Sequence, residues 1–118
     1  MLNLPTHHLS IYLCATPVDL RKSFDGLGGL VQSAFGQNLL EGHLFLFVNK
    51  RRDRLKALWW DGDGLVLWYK RLERGTFEMP SCAGDQTHRT LDATELAMLL
   101  GGVSLSSAKR RKRLALAG

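Results

Sequence analysis

The stretch from Leu44 to Arg74 constrains the fold more than any other, because it holds three short apolar runs separated by two joints. The runs are Leu44 to Val48, Leu55 to Trp60 and Leu65 to Tyr69, rich in Leu, Val, Phe and Trp. Runs of this length bounded by turn residues read as strands. The joints are Lys50-Arg51-Arg52-Asp53 and Asp61-Gly62-Asp63-Gly64. Asp-Gly between apolar runs is a strong hairpin signal, because Gly tolerates the positive φ of a tight turn. A three-stranded antiparallel meander over 44–72 is therefore expected.

The joints also set a register. With Gly62 and Asp63 centring the second turn, Trp60 faces Leu65, Leu58 faces Leu67, Lys56 faces Tyr69 and Arg54 faces Arg71. With Arg51 and Arg52 centring the first, Asn49 faces Arg54, Phe47 faces Lys56 and Phe45 faces Leu58. Alternation along strands then separates two faces. One carries Leu44, Leu46, Val48, Leu55, Ala57, Trp59, Val66 and Trp68, broken by Lys70, and is the expected core face. The other grades from Phe45, Leu58, Leu67 and Trp60 at one end to Phe47, Tyr69, Lys56, Arg54 and Arg71 at the other.

Ile11 to Ala15 predicts a further strand, with Cys14 a small core residue. Thr16-Pro17-Val18-Asp19 has the residues of a helix start: a cap, a proline at the first helical position and an acid in the positive first turn. Leu20, Phe24, Leu27, Val31 and Phe35 continue as a helical stripe, predicting a helix over about 17–35 that leaves Arg21 and Lys22 exposed. Gly26, Gly28 and Gly29 interrupt it, and either kink the helix or admit close approach to the sheet. They are not followed by the Gly-Lys-Ser/Thr of a phosphate loop. Gly36 is the expected C-terminal cap. Thr76 to Met79 offers a short extra meander strand, and 81–90 a polar, mobile loop. Leu91, Asp92, Glu95 and Leu96 combine a capping box with a hydrophobic staple and predict a second helix over about 93–100. The sum is an α+β fold: an antiparallel sheet of about four strands, the first helix on its apolar face, the second at an edge or on the opposite face. Residues 1–103 are expected to form the single domain, and 104–118 a basic, flexible tail.

Composition narrows the function. The net charge is +5, yet 109–113 is an unbroken basic run (Lys109, Arg110, Arg111, Lys112, Arg113). Without it, 11 Lys and Arg balance 11 Asp and Glu, so the global basicity belongs to the tail. Within the body, Lys50, Arg51, Arg52, Arg54, Lys56, Lys70, Arg71 and Arg74 converge on the meander, diluted by Asp53 and Glu73. Cys14 and Cys82 show no zinc spacing, which favours reduced cytoplasmic thiols. His7-His8 lacks a third ligand nearby. No signal peptide or membrane span is expected, and nothing implies a metal or cofactor.

Three stretches carry a resemblance. They run from Thr16 to Leu27 (TPVDLRKSFDGL), from Leu58 to Leu65 (LWWDGDGL) and from Tyr69 to Gly75 (YKRLERG). Their order and spacing resemble the TnpB accessory proteins of the insertion sequence 66 family, the product of that element's second reading frame. The motif positions are Asp19, Arg21, Lys22, Phe24, Asp25 and Gly26, then Trp59, Trp60, Asp61, Gly62, Asp63 and Gly64. The likeness spans about 11–101 and leaves the tail outside. It implies a small bacterial, cytoplasmic protein that assists transposition, with the strand-transfer chemistry in a separate, larger transposase. It supplies no catalytic residues to carry over.

Three readings of the site follow. Nucleic-acid binding, with DNA at the element ends as the partner, would use Arg51, Arg52, Arg54, Lys56, Lys70, Arg71 and Arg74 on phosphates, Tyr69 on bases, and the tail non-specifically. A protein-binding module would use Phe45, Leu58, Trp60 and Leu65 against the transposase or, as a homo-oligomer, a second copy. A metal-dependent nuclease would need Asp61, Asp63 and Asp25 to converge. Turn chemistry accounts for the first two of these acids, since Asp bonds its own backbone in turns.

Overall fold

The computed structural model describes residues 10–80, 84 and 86–101. The three runs of the meander become β2 (Leu44–Val48), β3 (Arg54–Trp60) and β4 (Leu65–Arg71), paired in the expected register. Phe45 lies opposite Leu58, Arg54 opposite Arg71, and Trp60 opposite Leu65. Asp61 N–H donates to the Gly64 carbonyl at 2.8 Å, and Gly62 takes φ 87°, so Gly62 and Asp63 centre that turn. The other joint also pairs as expected, with Asn49 N–H donating to the Arg54 carbonyl at 3.1 Å, and only the β-turn inside it lies one residue early. Arg52 N–H donates to the Asn49 carbonyl at 3.0 Å, which centres it on Lys50 and Arg51 and leaves Arg52 left-handed at φ 61°.

Two further strands complete the sheet, β1 (Ile11–Cys14) and β5 (His88–Leu91). The order is β4-β3-β2-β1-β5, so five strands replace the expected four. The sheet is mixed, not purely antiparallel, because β1 runs parallel to β2. A parallel pair needs a long crossover, and helix α1 (Phe24–Phe35) supplies it. β5 arises within the stretch expected to be a loop. Its sequence, His-Arg-Thr-Leu, has little strand character. It becomes a strand because β1 offers a free edge: Cys14 pairs with His88 and Ile11 with Leu91, and Ala15 N–H donates to the Thr87 carbonyl. Thr76–Met79 is not a strand, although Phe77 is buried and its N–H donates to the Arg52 carbonyl at 2.6 Å.

Both sheet faces are covered, and the helices are exchanged relative to expectation. Leu96 and Leu99 of helix α2 (Ala93–Gly101) pack with Leu44, Leu46, Val48, Leu55, Ala57 and Trp59. Leu27, Val31 and Phe35 of α1 pack with Phe45, Phe47 and Leu58. The cause lies in β2, whose five consecutive residues are all apolar and all buried. Such a strand demands cover on both sides.

α1 also begins later than the Thr16-Pro17 signal predicts. Val18 N–H donates to the Val48 carbonyl at 2.9 Å, and Val18 and Leu20 are buried on the α1 side of the sheet. This pins the chain along the end of β2. Asp19 Oδ1 accepts from Arg21 N–H at 3.0 Å, an Asx turn, so the acid serves a turn rather than a helix start. The helix opens at Phe24 with Ser23 before it and closes on left-handed Gly36, as the glycine signal predicts. Gly26 lets Lys22 approach, since a Cβ there would lie 3.1 Å from Lys22 Cβ, whereas Gly29 faces open space. The close approach is therefore to a side chain and not to the sheet. At α2 the capping box is present: Glu95 N–H donates to Asp92 Oδ1 at 2.7 Å, and Asp92 N–H donates to Glu95 Oε1 at 3.1 Å.

Candidate nucleic-acid interface

The first turn of the meander carries three consecutive basic residues, Lys50, Arg51 and Arg52, and Asn49 fixes its shape. Asn49 Oδ1 accepts from the N–H groups of Asp53 (3.1 Å) and Arg54 (3.0 Å), while its Nδ2 donates to Asp53 Oδ1 at 2.7 Å. Distant chain clamps the same turn. Leu72 N–H donates to the Asp53 carbonyl at 2.7 Å, and Phe77 N–H to that of Arg52. Lys50, Arg51 and Arg52 are left exposed on a rigid loop. The Pro17–Arg21 segment lies alongside, and between the two runs an open groove of about 460 Å³ lined by Asp19, Arg21, Lys50, Arg51, Asp53 and Arg54. Arg21 Nη2 reaches Asp19 Oδ2 at 2.6 Å. That pairing, with the Arg21 backbone N–H, holds the Asp19 carboxyl at about 2, below its ordinary 3.8.

Beside the groove, the α1 face of β3 and β4 carries Arg54, Lys56 and Arg71 with Tyr69. Arg54 and Arg71 are direct cross-strand neighbours, as are Lys56 and Tyr69. Arg54 Nη1 donates to the Tyr69 hydroxyl at 3.3 Å. Arg71 bonds Glu73 Oε1 through Nε (3.1 Å) and Nη2 (2.9 Å), and this acid pushes its pKa further up. Arg74 is exposed. Lys56 is only 8 % exposed, with Nζ donating to the Lys22 carbonyl at 2.8 Å and standing 5.0 Å from the centre of the Tyr69 ring. It is a structural cation and not a surface grip.

Two further corrections follow from the faces. Lys70 points to the α2 side, where Nζ donates to the Leu100 carbonyl at 3.2 Å, so it is not part of the Arg54–Arg71 surface. Lysine is well suited to this place, since the last carbonyls of a helix lack partners. Phe45 and Leu58 are 0 % exposed under α1 and cannot form an open docking patch. Trp60 and Leu65 remain half-buried.

The two motif stretches do not meet. Arg21 and Lys22 stand at the basic end of the sheet, whereas the Asp61–Gly64 turn lies at the other end of β3. Asp61 and Asp63 are therefore separated from Asp25, which occupies the first turn of α1, a position the helix dipole favours for an acid. Arg21, four residues before Asp25, is taken by Asp19. Among the described residues no three His, Cys, Asp or Glu side chains come close enough to hold a metal ion. Cys14 is a buried free thiol near the Thr16 hydroxyl. No helix among the described residues is long and apolar enough to cross a membrane. His7, His8, Cys82 and the 109–113 run lie outside the described residues.

Sequence patterns singled out neither Arg21 and Lys50 as groove residues nor Phe24 as exposed. Phe24 reads as part of the apolar stripe, yet it is 42 % exposed. The signal was its place at the first turn, where a stripe residue can overhang the sheet's end.

The described residues form an α+β domain whose sheet gathers basic side chains at one end. A sequence profile described as IS66 Orf2 like protein matches residues 9–110, and the chain belongs to this family of insertion-sequence accessory proteins. It is 36% identical over 107 residues to the uncharacterized protein y4jC of Sinorhizobium fredii, covering 91% of this chain and 90% of that protein. It is 33% identical over 96 residues to the uncharacterized protein y4hO of the same organism, covering 81% and 82%. No solved structure gives a significant match.

Proposed function

We propose that the chain assists transposition as a non-catalytic DNA-binding accessory of its element, working in the bacterial cytoplasm beside a separate transposase. One observation carries this reading: Arg54 and Arg71 stand directly opposite each other on neighbouring strands. Like charges so placed destabilise a sheet. Lys50 and Arg51 add to the same end, while Arg21 and Arg71 are each ion-paired, with Asp19 and Glu73 respectively. Phosphates would relieve that repulsion and release counterions. Replacing Arg54 and Arg71 together with Glu should weaken binding to a duplex of the element's terminal repeat by about tenfold or more and flatten its salt dependence. Unchanged affinity and slope would end this reading.

A second surface suits a protein partner. Trp60 and Leu65 are cross-strand neighbours, half-buried, beside the Asp61–Gly64 turn and far from the basic end. We assign this end to the transposase. Trp60→Ser should abolish co-purification with the transposase while the chain stays folded. A dimer in sedimentation that Trp60→Ser splits would instead give the surface to a second copy and favour an interaction module without direct DNA contact.

A further inference from the structure

Packing does not account for Phe24. The other stripe residues of α1, Leu27, Val31 and Phe35, are buried, but Phe24 is 42 % exposed. Among the described residues, Tyr69 at 47 % is the other exposed aromatic. One lysine links the two places. Lys56 Nζ holds the carbonyl of Lys22, two residues before Phe24, and also stands over the Tyr69 ring. The Arg54 guanidinium donates to the Tyr69 hydroxyl, and Arg71 faces Arg54 across the strands. Tyr69 is thus fixed at one face by Lys56 and at its hydroxyl by Arg54. Its exposed area is left to the opposite face and the rim.

We infer that Tyr69 is a stacking platform for unpaired nucleobases, with Phe24, linked to it through Lys56, as a second exposed ring, so that this end of the sheet takes single-stranded nucleic acid in preference to duplex. This rests on the nucleic-acid reading above and specifies its ligand. A duplex presents backbone charge and groove edges, and its bases are stacked on each other. Cations alone suffice to hold it. A single strand alternates phosphates with free π-faces, and the site sets the Arg54–Arg71 pair two residues along the strands from the Tyr69 ring. Stacking of a base on an aromatic side chain tolerates any sequence, because every base has a π-face. The nearly buried Lys56 ammonium adds a fixed positive charge behind the ring.

The test is fluorescence anisotropy with the full-length chain and a labelled mixed-sequence oligonucleotide of about 16 nucleotides. It is run single-stranded and annealed to its complement, at two salt concentrations. The single strand should bind at least about fivefold more tightly than the duplex. Tyr69→Ala and Phe24→Ala should each weaken single-strand binding by about fivefold or more, and duplex binding by less, with the single-strand salt slope unchanged. Tyr69→Phe, which keeps the ring, should retain single-strand binding. Because Phe24 opens a helix from the surface, its replacement carries the test if Tyr69→Ala folds poorly. Equal affinity for the two forms with both alanine variants silent would overturn the stacking platform and leave the Arg54–Arg71 reading standing. No binding to either form would bring down that reading as well.

Discussion

The two turns of the meander solve the same problem with different means. The Asp61–Gly64 turn is minimal: one backbone hydrogen bond and a left-handed glycine reverse the chain. The Asn49–Asp53 turn is elaborate. It spends an asparagine side chain on three hydrogen bonds, keeps a non-glycine residue left-handed and receives two backbone donors from chain some twenty residues away. The first turn only has to close. The second also carries three cations, Lys50, Arg51 and Arg52; under the proposed DNA-binding role, holding them in place spares the entropy that mobile cations would lose on meeting a phosphate backbone. The contrast separates a turn held by its own backbone from one held by a side chain and by distant chain.

Thermal and denaturant unfolding can break this contrast. Asn49→Ala removes three hydrogen bonds from a half-buried position and should cost about 2–3 kcal/mol. Gly62→Ala forces a side chain into φ 87° with open space around it, and should cost about 1–2 kcal/mol. A larger loss at Gly62 than at Asn49 would reverse the ranking of the two turns. The smallest effect is electrostatic. The Asp19 pKa is lowered in the folded chain, so its contribution to stability is complete above about pH 4 and disappears as the pH falls towards its own value of about 2. In Arg21→Ala the carboxyl should titrate above its value of about 2 yet below its ordinary 3.8, because the residue 21 backbone N–H still donates to it, as followed by NMR, and an unchanged value would remove the Arg21 side chain as the cause.

Local patterns were legible where one physical rule acted alone. Strict alternation and the Asp-Gly joint fixed the register of β2, β3 and β4 to the residue. The Asp92–Glu95 box fixed the start of α2. What failed was decided by tertiary contact. β5 is a strand only because β1 has an edge to give, and nothing in His-Arg-Thr-Leu announces it. Which helix covers which face cannot follow from periodicity when Leu-Phe-Leu-Phe-Val is apolar on both. The site divides in the same way. The convergence of Arg54, Arg71 and Tyr69 follows from register alone. The burial of Lys56, Phe45 and Leu58 depends on what α1 and the loop before it cover, and Lys70 was drawn to the basic set by charge although alternation places it on the other face.

The position of β1 has a consequence for the order of assembly. β2, β3 and β4 are neighbours in sequence and can close as soon as the ribosome has released them. β1 gains one partner when β2 appears, but its other edge waits for Leu91 to reach Ile11. Pairings between such distant residues form slowly, and an unpaired edge invites association with other chains. Until synthesis passes residue 91, the growing chain therefore carries an open edge at the strand it made first.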